Sequence, residues 1–139
     1  MRLCLVQHGE AKSEQEDPQR SLTVEGERDV RRVAEFLHRA GVEVGEIRSS
    51  DKPPAQQTAA VLAEHLQPPH GIRVVEQLGP SVEHVARALA TENEPLMLVG
   101  YPPFLERLAA RLLTGDPDIR VVRFQTASVV CLERDNRRW

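Results

Sequence analysis

The first apolar run of the chain ends in Gln7-His8-Gly9-Glu10, which puts an imidazole where the backbone must leave a strand. A histidine so placed can act as a nucleophile toward a phosphoryl group. That chemistry asks the protein chiefly for positioning and for charges that hold the transferring oxygens. The tripeptide itself supplies none: Gln7 offers a neutral amide, and Gly9 offers only backbone. Whether this is an enzyme or a binding shell therefore turns on cations brought in from elsewhere. Arg48, which ends the second predicted strand, is one candidate by position, and Glu83 or His84 could supply a proton to a leaving group.

The elements that would position these groups alternate in type. Arg2 to Val6 is a short β run. Thr23 then offers an N-cap to a helix with apolar face Val30, Val33, Ala34 and Leu37, stopped by Gly41. A strand over Val44 to Arg48 precedes a helix from about Pro53 to Leu66, whose two prolines are tolerated only in the first turn. Ile72 to Val75 reads as a strand, and Leu78-Gly79-Pro80 leads to a helix capped by Ser81 that carries Val85 and Leu89. Leu96 to Val99 is a buried strand, and Phe104 to Leu112 an amphipathic helix ending near Gly115. The alternation predicts one α/β domain over residues 1–139, with a mostly parallel sheet and helices on both faces. Ile119 to Phe124 and Ser128 to Leu132 are expected to close it as an antiparallel hairpin. In such sheets ligands bind beyond the carboxyl ends of the strands. Gln7 to Glu10, Ser49-Ser50-Asp51 and Gly100-Tyr101 are then expected to face one crevice.

Composition narrows the function classes. A net charge of −3 and an aromatic fraction of 4% give no basis for nucleic-acid binding. Only the tail Arg134 to Trp139 is locally basic, and it reads as a solvated terminus. Leu3 to Val6 is too short for a membrane span or a leader, so a cytoplasmic protein is expected. Cys4 and Cys131 lie in apolar runs without metal spacing and read as two buried thiols, with no metal or other cofactor expected. His38, His65 and His70 read as surface residues.

Four ordered segments resemble the histidine phosphatase superfamily, in particular its compact SixA-like phosphohistidine phosphatase branch. They are Val6 to Ala11, Leu22 to Gly26, Ser49 to Ala59 and Leu98 to Leu105, with Phe124 to Glu133 resembling the closing strands. The resemblance implies the family fold and a nucleophilic histidine at His8. It also implies an arginine before that histidine, a second arginine opening the helix after the second strand, and a second histidine after Val-Gly. Gln7, Pro54 and Tyr101 stand at those three positions.

The replacements are chemically severe. Arginine grips two oxygens with a permanent charge and a planar fork. Gln7 has neither, Pro54 has no polar side chain and no N–H, and Tyr101 is neutral near pH 7. The leading expectation is a degenerate phosphatase with little or no hydrolase activity and weak phosphate binding. It would serve as a binding or regulatory module for a protein or a small neutral ligand in the crevice. His8 would then be a vestige of the site, Gln7, Gly9, Arg20 and Lys52 binding residues of the crevice, and Tyr101 a packing or ligand contact. The alternative is a slow phosphohistidine or phosphoprotein phosphatase that passes through phospho-His8, with Arg20 or Lys52 in place of the lost arginines and Glu83 as acid.

Overall fold

A computed structural model describes residues 1–75 and 81–139; the Leu78-Gly79-Pro80 segment lies outside the described residues. Five strands form one sheet in the order β3-β2-β4-β1-β5. β1 (Arg2–Gln7), β2 (Glu46–Ser50), β3 (Ile72–Val75) and β4 (Leu96–Gly100) run parallel, and β5 (Val129–Glu133) lies antiparallel against the free edge of β1. β1 and β4 are central, and apolar nearly throughout because both of their faces are covered.

Alternate residues of these strands feed two cores. Cys4, Val6, Ile47, Met97 and Val99 pack beneath α1 (Val24–Arg39) and α2 (Pro53–Leu66). Leu3, Leu5, Leu96, Leu98 and Leu132 pack beneath α3 (Val82–Leu89) and α4 (Phe104–Thr114). α1 starts where Thr23 Oγ1 accepts from the Gly26 N–H at 2.9 Å. It stops at Gly41, whose φ of +76° a side chain would resist.

Two expectations are corrected. Ile119 to Phe124 is not a strand, so the closing hairpin does not form. Its alternating pattern marks a buried Phe124 between exposed neighbours, but a strand also needs a ladder partner. This backbone instead follows α4, where the Phe124 N–H donates to Glu106 Oε1 at 3.3 Å, leaving Ile119 and Val121 exposed. The antiparallel contact of β5 is with β1 alone. That register sets Cys4 opposite Cys131, with Cα atoms 4.1 Å apart, and the two form a disulfide rather than remaining thiols. Among the described residues no helix is long and apolar enough to cross a membrane.

Candidate functional site

The chain leaving β1 is tied down on three sides. The His8 N–H donates to the Gly100 carbonyl at the end of β4, at 3.0 Å, and the Ala127 N–H donates to the carbonyls of Gln7 and His8, each at 3.1 Å. On the third side the Gly9 N–H donates to Thr58 Oγ1 at 3.0 Å, and that hydroxyl donates to the Pro54 carbonyl at 2.8 Å. Thr58 is fully buried on α2, so it couples the start of that helix to the histidine loop. Gly9 itself is buried and does not line the cavity described below; its role is close packing, since a Cβ there would lie 2.7 Å from Val30 Cγ2. Glu10 turns away from the crevice and accepts from the Thr23 hydroxyl at 2.8 Å.

His8 Nδ1 lies 2.7 Å from the Gly9 carbonyl oxygen. A carbonyl only accepts, so Nδ1 carries a proton, and in the neutral tautomer this leaves the lone pair at Nε2. The ring borders an open cavity of about 650 Å³ at the carboxyl ends of β1 and β4. Gln7, Lys52, Pro54, Arg20 and Tyr101 also border it, so these expected site residues converge, whereas Gly9, Arg48, Ser49, Ser50, Asp51, Glu83 and His84 do not border it. Ser49 and Ser50 lie beneath it, fully or nearly buried. Ser49 Oγ donates to the Ser50 carbonyl at 2.8 Å, and Ser50 Oγ accepts from the Lys52 N–H at 3.2 Å.

Floor and rim differ in charge. The floor is made by Gln7, 8% exposed, by the buried Pro54 and by the half-buried His8. None of these carries a permanent charge. Gln7 Oε1 is buried and has no hydrogen-bond partner among the described residues, a loss worth about 1–3 kcal/mol for an unmet acceptor. The cations Arg20 and Lys52 lie exposed on the rim, with Glu14 and Tyr101.

Backbone donors are scarce as well. A helix N-terminus facing a crevice usually offers free N–H groups to an anion. α2 begins with Pro53 and Pro54, which have none, and the next two N–H groups, of Ala55 and Gln56, are spent on the Lys52 carbonyl at 3.0 and 3.1 Å. α4 follows Pro102 and Pro103, which also lack the group.

Arg20 reaches the rim through a loop the sequence reading overlooked. Asp17 accepts from the N–H groups of Gln19 and Ser21 and from the Ser21 hydroxyl, and these bonds, the hydroxyl's foremost, hold its carboxyl below the usual range. The turn carries Arg20 at φ +50°, with Nε donating to the Lys12 carbonyl at 3.3 Å. The Asp17-Pro18 pair was the available signal, since aspartate and proline are turn formers. Glu14 and Gln19 join the cavity only because this loop folds back.

Three other expected participants, Arg48, Glu83 and His84, are elsewhere. Arg48 is held by Glu46 at 2.6 Å and Glu92 at 2.7 Å and does not border the cavity. Glu83 is gripped by Arg111 through two hydrogen bonds of 2.7 and 3.0 Å and by Arg87 at 3.3 Å, and is not available as an acid; His84 is exposed and also outside the cavity. Arg111, ahead of Arg87, lowers the Glu83 carboxyl below its ordinary value. A depressed carboxyl stabilises the fold above its unfolded value, and that contribution fades as pH falls through the folded one. The Glu83→Gln variant should therefore be less stable than the parent at pH 7 and should match it once acid protonates Glu83. Urea midpoints of both proteins at the two pH values check this.

Comparison with known proteins agrees with this architecture. Residues 3–79, more than half of the chain, match the sequence profile of the histidine phosphatase superfamily (branch 1). No curated protein matches the chain. Among solved structures, the protein histidine phosphatase SixA, complexed with tungstate, superposes with a TM-score of 0.85 at 24% identity over 97% of this chain and 89% of that one. A candidate phosphohistidine phosphatase SixA from Agrobacterium tumefaciens gives 0.77 at 19% identity over 96% of this chain and 91% of that one. A candidate α-ribazole-5′-P phosphatase from Escherichia coli K-12 gives 0.76 at 19% identity over 99% of this chain and 93% of that one. At these identities the likeness is one of fold.

Proposed function

The chain belongs to the histidine phosphatase superfamily, and we propose that it is a member with little or no phosphohydrolase activity, whose crevice serves binding or regulation. The observation that carries this reading is the uncharged floor. A phosphoryl group seated against His8 would meet the Gln7 amide and the Pro54 ring, with the nearest cations out on the rim. One missing oxyanion donor costs roughly 10²–10³ in rate, and losses within one site do not multiply fully. An impairment of at least about 10⁴-fold follows for the three replaced positions together.

The test is turnover of phosphoramidate and of a phosphohistidine-bearing protein by the wild type beside His8→Ala. The expected result is a wild-type rate indistinguishable from that of the variant. Turnover at an ordinary enzymatic rate, on the order of 1 s⁻¹ or faster, lost in His8→Ala, would sink the proposal.

One observation favours the second reading, a slow phosphatase. Arg20 and Lys52 share the cavity with His8, and neither forms an ion pair among the described residues. In that reading His8 Nε2 attacks phosphorus, the leaving group departs with the bonding pair, and water later hydrolyses phospho-His8. A phosphate adduct on His8, detected by mass spectrometry after quenching and lost in Arg20→Gln/Lys52→Gln, would decide for it.

A further inference from the structure

Building on the reading of the crevice as a binding site, we propose that it takes a small molecule with a neutral hydrogen-bonding head and one carboxylate. The head, a carboxamide or hydroxyl, sits on Gln7 and His8, and the carboxylate faces Arg20 and Lys52. The floor sets the first requirement. His8 presents a bare Nε2 acceptor, because its Nδ1 proton is engaged by the Gly9 carbonyl. Gln7 borders the cavity, and because its Oε1 is buried away from solvent, its amide NH2 is the donor left to face a ligand. A group that both donates and accepts complements this pair. A phosphoester dianion, which only accepts, would place its oxygens against the imidazole lone pair with no cation among the floor residues.

The rim sets the second requirement. Arg20 supplies a planar fork suited to a carboxylate, and Lys52, which borders the same cavity, a compact charge. Glu14 beside them lowers the net positive charge of the rim to one, which matches a monoanion better than a dianion. Pro18, Pro53 and Pro102 give the walls apolar surface for the carbon chain that joins the two ends.

The test titrates the intact protein with succinamate, propionamide, succinate and inorganic phosphate, followed by ¹H–¹⁵N spectra that include the Gln7 side-chain amide. Succinamate should bind at least about tenfold tighter than propionamide or phosphate, in proportion to the charge-assisted contact it alone combines with the head. Its binding should move the Gln7 amide and Tyr101 resonances. Arg20→Gln/Lys52→Gln, both exposed positions, should bring succinamate down to the level of propionamide. If succinamate binds no tighter than propionamide, or leaves Gln7 unmoved, while phosphate stays weak, this inference falls and the proposed lack of hydrolase activity stands. If phosphate outcompetes succinamate and is turned over from an ester, the proposed function falls with it.

Discussion

Placing arginine at positions 7 and 54 and histidine at 101 should raise both phosphate affinity and phosphatase activity far above those of the parent. Gln7→Arg puts a cationic fork on the cavity floor beside His8, and Pro54→Arg puts a second one at the start of α2. The latter change also returns a backbone N–H to the first turn of that helix, where the dipole favours an anion. Two charge-assisted contacts at about 1.5–3 kcal/mol each predict phosphate binding tighter by at least about a hundredfold. Tyr101→His adds a group able to carry charge or a proton at the end of β4. The triple variant should hydrolyse phosphoramidate about 10⁴-fold faster than the parent, short of the product of separate gains because the groups act as a unit. Phosphate titration and initial rates of both proteins check this, with circular dichroism to establish that the variant is folded. A parent protein that already matches the variant would show that Arg20 and Lys52 suffice, and would transfer the chemistry to the rim.

A second large effect is expected from a single methyl group far from any ligand. In Gly26→Ala the added Cβ would lie 2.2 Å from the Glu10 carbonyl oxygen and 2.9 Å from the Glu10 nitrogen. Both are backbone atoms, so no side chain can swing aside. Glu10 is pinned from the same side, because its carbonyl accepts from the Thr23 N–H at 2.9 Å and its carboxylate from the Thr23 hydroxyl. Either α1 lifts off the sheet or the loop that carries His8 moves. Overpacking of this kind costs typically 1–3 kcal/mol, and a clash with fixed backbone belongs at the upper end, about 3 kcal/mol or more. The melting temperature should fall by roughly 10 °C. Urea unfolding of the variant measures the cost directly. Stability within about 0.5 kcal/mol of the parent, the level of an ordinary surface substitution, would mean that α1 does not bear on the histidine loop in the way described.

That packing explains a difference between what the motif reading and the structure say about Gly9. As part of Gln7-His8-Gly9 it looked like a ligand contact. In the fold it is the residue that lets Gly26 and Val30 of α1 approach the loop, while its N–H is used by Thr58. Glycine in a motif reports close approach, and only the tertiary structure tells whether ligand or protein does the approaching. Glu83 shows the same limit for charge. Its position after the third strand suggested an acid, but Arg111 lies 28 residues away in sequence, and no local pattern announced that the two would meet. The same holds for Cys4 and Cys131, whose pairing follows from β5 lying antiparallel to β1.

By itself, the sequence determined the order and type of nearly every element, because those follow from local periodicity, caps and breakers: Thr23 before α1, the paired prolines opening α2, the apolar run of β4. It also determined that positions 7, 54 and 101 carry Gln, Pro and Tyr, none with a permanent charge, since residue identity needs no fold to be read. The tertiary structure decided where the remaining charges go. Arg20 is brought to the cavity by the Asp17 turn, Arg48 is taken from it by Glu46 and Glu92, and Glu83 is claimed by Arg111. Electrostatic partners are set by distance through space, and distance through space between remote residues is what a one-dimensional pattern leaves open.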